Sequence, residues 1–76
     1  MEHPITTYRR NNFLTQAAFG RLVGATKGMV SRWEASLILP RPDFIEKIEN
    51  VTNGLISASA IVRAFNFAHR RLEAAE

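Results

Sequence analysis

A glycine at position 24 separates two short stretches that each carry one apolar stripe, and few folds accommodate that spacing. Before it, Thr15 is a good helix N-cap, and Gln16 to Val23 places Phe19, Leu22 and Val23 three and four residues apart. Gly24 stops this helix, as glycine does where the backbone turns through positive φ. After it, Thr26 is a second N-cap and opens a helix from Lys27 to about Ser36, with Val30, Trp33 and Leu37 on one side. Lys27, Gly28, Ser31, Arg32 and Ala35 fall on the opposite side at 100° per residue. One face is bulky and apolar; the other is small, polar and cationic.

The rest of the chain reads as three more helices. The first runs from about Ile5 to Asn12, with Ile5 and Tyr8 on one face. Pro42 suits the first turn of a fourth helix, Asp43 complements its positive end, and Phe44, Ile45, Ile48 and Val51 face inward to about Thr52. Asn53-Gly54 stops it. Ser57 or Ser59 caps a fifth helix over about 57–74, with a stripe of Ile61, Phe65, Ala68 and Leu72 and with Val62 at its edge. The expectation is one all-α domain of five helices over 1–76, without repeats or low-complexity stretches.

Two short helices joined at one glycine form a helix-turn-helix arrangement, here over 15–36. Gly20 sits where a side chain would push the two helices apart. Held by its apolar face, the second helix turns its polar face outward, a shape that fits the major groove of B-form DNA. Net charge is +3, and the surplus lies in the first half. Arg9, Arg10, Arg21, Lys27, Arg32 and Arg41 stand there against only Glu2 and Glu34, which suits a polyanion.

The run Leu14-Thr-Gln-Ala-Ala-Phe-Gly-Arg-Leu-Val-Gly-Ala-Thr-Lys-Gly-Met-Val-Ser-Arg-Trp-Glu34 resembles the helix-turn-helix of the Cro and phage-repressor family, also called the xenobiotic-response-element family. From Pro40 through Asp43, Ile48, Val51, Thr52 and Gly54 to Leu55 the chain is similar to small all-helical Cro proteins and YdaS-type regulators. The resemblance covers about Ile5 to Ile61 and leaves out the long C-terminal helix. It implies a sequence-specific transcriptional regulator of phage, prophage or bacterial origin, a Cro-like repressor bound as a homodimer to a double-stranded DNA operator. It implies that Thr15 and Gln16 contact a phosphate, that Thr26, Lys27, Gly28, Ser31 and Arg32 face DNA, and that Ala35 lies at the far end. Arg32 and Lys27 can donate to guanine O6 and N7. Gly28 departs from the family pattern, where a side chain often sits; it admits close backbone approach to DNA or leaves one base contact missing.

Arg9, Arg10, Arg21 and Arg41 are candidate phosphate contacts, each with a solvated surface charge as the alternative. Phe65, Phe67, Ala68 and Leu72 are a candidate dimer surface; the alternative is that Ile61, Phe65 and Leu72 only cover the core. His3 and His69 lack ligand-spaced partners, so no metal is expected. Asn50-Val-Thr52 matches a glycosylation acceptor by chance, and a solvated face explains Glu46 and Glu49. There are no cysteines, no phosphate loop and no nucleophile with an evident base. No enzyme activity, cofactor or small-molecule ligand is expected. Short apolar runs and the lack of an apolar segment after Arg9 and Arg10 give the expectation of a cytoplasmic protein without a membrane span. The rival reading is a protein-interaction module of the same fold, an antitoxin or anti-repressor partner.

Overall fold

The computed structural model describes residues 2–74, with side chains through residue 70. It is all-helical: α1 Pro4–Asn11, α2 Gln16–Val23, α3 Lys27–Glu34, α4 Pro42–Val51 and α5 Ala58–Ala74. Among the described residues there is no strand, and no helix is long and apolar enough to cross a membrane.

Each start has a chemical cause. His3 caps α1 by accepting the Ile5 N–H at its Nδ1, 3.1 Å away, and Pro4 follows in the first turn. Thr15 accepts the Ala18 N–H at 3.0 Å and Thr26 accepts the Met29 N–H at 3.1 Å. Pro42 and Asp43 occupy the first turn of α4. Ser57 accepts the Ala60 N–H at 3.1 Å, while Glu49 reaches the Ala58 N–H at 3.1 Å. Glu49 is therefore a bridge from α4 to the start of α5, not simply part of a solvated face.

The helices enclose one core of Ile5, Phe19, Val23, Val30, Trp33, Ile48, Ile56 and Ile61. Tyr8 meets Phe19 edge-on with ring centroids 6.0 Å apart, and Trp33 meets Phe44 at 5.3 Å. Phe44, Ile45 and Val51 pack against this core as expected. Leu22 and Leu37 do not belong to it: they are 49% and 68% exposed. Leu22 lies on the α2 stripe by spacing alone, whereas Phe19 and Val23 already fill the interior. Leu37 lies beyond the end of α3, because Ser36 turns through φ +57° and breaks the periodicity. Ile56, in the loop before α5, supplies core that no periodicity signals.

Thr52 is buried and fully used. Its hydroxyl donates to the Ile48 carbonyl at 2.8 Å and accepts the Ile56 N–H at 3.1 Å, tying the end of α4 to the following loop. That burial is the structural role of a residue whose tripeptide resembles a glycosylation acceptor.

Candidate nucleic-acid interface

The α2–α3 pair is built around a tight turn. Gly24 adopts φ +75°, in the left-handed region, and Ala25 donates its N–H to the Gly20 carbonyl at 2.8 Å. A Cβ on Gly20 would lie 2.5 Å from the Ala25 carbonyl oxygen. The obstacle is thus the turn backbone entering α3, rather than the body of α3 itself.

Val30 and Trp33 anchor α3 in the core. The other face is open: Thr26, Lys27, Gly28, Ser31, Arg32 and Ala35 are all exposed. Ala35 is the C-cap, so α3 ends at Glu34, two residues before the expected Ser36. Gly28 has room for a side chain, since a Cβ there would meet only Arg32 Nη1 at 3.7 Å and Thr26 Oγ1 at 3.9 Å. The Arg32 guanidinium lies back along the helix over Gly28, joining two positions that the sequence treats separately.

Thr15 is exposed at the start of α2, and its oxygen is engaged as the cap acceptor. Its hydroxyl proton is left to donate outward, and Thr26 has the same arrangement. Gln16 is only half-exposed, and its amide lies close enough to Glu34 to help stabilise the carboxylate.

Glu34 is the polar centre that sequence reasoning missed. The Arg9 guanidinium donates to it twice, from Nε at 2.9 Å and Nη2 at 3.0 Å, and the Thr6 hydroxyl donates at 2.6 Å. Arg9 also donates from Nη1 to the Leu14 carbonyl at 3.0 Å. One arginine therefore joins α1, the approach to α2 and the end of α3, and so fixes how α3 is presented. Burial pushes the Glu34 carboxyl pKa up, but the hydrogen bonds from Arg9 and Thr6, the charge of Arg9 and the Gln16 amide outweigh it, and the net shift is downward. The hydrogen bond to Glu34 raises the Arg9 pKa further. Nothing local in the sequence announces this clamp, because its partners are 25 and 28 positions apart.

Arg9, a candidate phosphate contact, has its guanidinium engaged by Glu34 and the Leu14 carbonyl. Arg10 pairs with Glu2 on the surface. Arg21 and Arg41 are exposed, and neither forms an ion pair with a described residue. On α5, Phe65 and Ala68 are half-buried, and Phe65 stacks on His69 with centroids 4.1 Å apart. His69 in turn bonds the Ser36 carbonyl at 3.0 Å. Phe67 is exposed, and Leu72 lies outside the described side chains. Of the described side chains in the candidate dimer stripe, Phe67 is therefore more exposed than Phe65 and Ala68. His3 serves as the α1 cap, and its pKa is lowered by burial against the opposing charge of Glu34.

The chain matches no family model, no curated protein and no solved structure.

Proposed function

We propose that this chain is a sequence-specific double-stranded DNA-binding regulator of the Cro and phage-repressor type, with α2 and α3 as its helix-turn-helix and α3 as the helix that reads bases. One observation carries the reading. An eight-residue helix is held by Val30 and Trp33 while Thr26, Lys27, Ser31 and Arg32 are left exposed on its outer face. With its side chains an α-helix is about 10–12 Å across, which fits a major groove about 12 Å wide. Lys27 and Arg32 offer donors to guanine, and Thr15 offers a hydroxyl donor to phosphate beside the positive end of α2. The Arg9–Glu34 clamp supplies the rigidity that base readout needs.

The test is selection from a pool of random duplex DNA, followed by sequencing, with wild type and Arg32→Ala. The expected result is an enriched motif that Arg32→Ala loses or relaxes, with affinity that falls steeply as salt rises. Retention without a motif would reduce the activity to non-specific binding. No retention at low salt would overturn the reading in favour of a protein-interaction module, which the exposed Leu37-Ile38-Leu39 run would then serve.

A further inference from the structure

Glycine is a poor helix former, yet Gly28 lies inside α3 and nothing in its backbone calls for it. Its φ is outside the left-handed region that Gly24 and Gly54 occupy. No packed neighbour calls for it either: a Cβ there would stand 3.7 Å from Arg32 Nη1 and 3.9 Å from Thr26 Oγ1, both ordinary contact distances. The group set over Gly28 is thus the guanidinium of the residue four positions on. Side chains of an α-helix lean toward its N-terminus, and residues four apart share a face, so Arg32 leans over position 28. Arg32 is exposed and forms no ion pair with a described residue, so no acid draws it there. The space that lets the guanidinium lie close to the first turn of α3 is the one a longer side chain at position 28 would fill.

We propose that Gly28 determines specificity through Arg32: the missing side chain leaves room for the guanidinium and aims it at the N-terminal end of α3, beside Thr26 and Lys27. Gly28 is then a positioning residue, not a contact. The proposal rests on α3 being the helix that reads bases, and adds which end of it does the reading. The guanidinium is a rigid fork of five donors, so its direction decides which base edge it can meet with two bonds. Drawn back over Gly28, it gathers with the donors of Thr26 and Lys27 at one end of the helix, and Ser31 and Ala35 are left with short side chains. Two other roles for a glycine here make different predictions. Close backbone approach to DNA would make any side chain an obstacle, alanine included. A merely missing contact would leave the reach of Arg32 indifferent to position 28.

The experiment carries Gly28→Ala and Gly28→Leu through the random-duplex selection beside wild type and Arg32→Ala. It then measures the affinity of each, and of the Gly28→Leu, Arg32→Ala double variant, for the wild-type motif at one salt concentration. Gly28→Ala is expected to keep motif and affinity, because its Cβ only touches the guanidinium. Gly28→Leu extends into the place of the guanidinium. It is expected to relax the motif at the base positions that Arg32→Ala relaxes, and to weaken binding about tenfold, the scale of one bidentate pair. In the Arg32→Ala background the leucine is expected to weaken binding by less than about twofold more, since both changes remove one contact. Both residues favour helix over glycine at an exposed position, so circular dichroism and melting should show the fold intact. A Gly28→Ala protein that loses the motif, a Gly28→Leu protein that keeps it, or a leucine effect undiminished in the Arg32→Ala background overturns the inference and leaves the DNA reading standing. A wild type without an enriched motif removes the DNA reading, and this inference with it.

Discussion

Gly20→Ala and Gly28→Ala add the same methyl group to two neighbouring helices of eight residues each, yet their surroundings give opposite signs. At Gly20 the new Cβ would stand 2.5 Å from the Ala25 carbonyl oxygen, 3.2 Å from its carbon and 3.4 Å from the Thr26 carbonyl carbon. All three are backbone atoms. They cannot rotate away as a side chain would, and the turn is also held by the Ala25 N–H on the Gly20 carbonyl. Overpacking of this kind costs about 1–3 kcal/mol and straining the turn bond adds about 1 kcal/mol, against a gain of about 1 kcal/mol in helix propensity. The expected net loss is about 2 kcal/mol, or roughly 8–16 °C in melting temperature for a domain this small. At Gly28 the Cβ meets only a flexible guanidinium and a hydroxyl at ordinary contact distances. Because Gly28 sits in the first turn of α3, the propensity gain there is about 0.5 kcal/mol, a rise of roughly 2–4 °C. Thermal and urea unfolding followed by circular dichroism reads both variants. A Gly20→Ala protein as stable as wild type, or two variants shifted in the same direction, would refute the turn geometry.

Three further outcomes follow from polar groups and backbone strain. Glu34→Gln is expected to cost about 2 kcal/mol in urea unfolding, because it leaves the largely shielded Arg9 guanidinium without its counter-charge. Stability is expected to fall with acid in two stages. His3 has a folded pKa below its ordinary 6.5, so its contribution is complete above that pH and declines as pH drops below it. The Glu34 contribution is complete above 4.5 and is lost as pH falls through its lower folded value. His3→Asn keeps a capping acceptor and should abolish the upper stage in urea titrations at stepped pH; an unchanged upper stage would show that another group causes it. Phe13 is 96% exposed and adopts φ +56°, so Phe13→Asn should raise stability by about 0.5–1 kcal/mol in thermal melts; destabilisation would mean the ring makes a contact in solution.

Local chemistry and periodicity made much of this protein legible in advance. The caps at Thr15 and Thr26, the left-handed turn at Gly24 and the stop at Asn53-Gly54 depend on interactions within a few residues, so the sequence carries them directly. The same holds for the exposure of Lys27, Ser31 and Arg32 opposite Val30 and Trp33, since helical geometry separates those faces. Periodicity could not say where a stripe meets an interior. Phe19 and Val23 are enclosed while Leu22 is half-exposed, and the three have equal claims by spacing.

Tertiary structure alone decided the rest, because the partners concerned lie far apart along the chain. It took Arg9 from the basic surface and set it on Glu34, 25 residues away. It turned a tripeptide threonine, Thr52, into a buried link between α4 and the loop beyond it. It also left Leu37, Ile38 and Leu39 on the outside, by ending α3 at Glu34 and turning the chain at Ser36 before the apolar run could join the core. A sequence fixes which residues can form and cap a helix through short-range hydrogen bonding and sterics. Which charges remain available, and which apolar side chains lack cover, depends on how the finished helices close on one another.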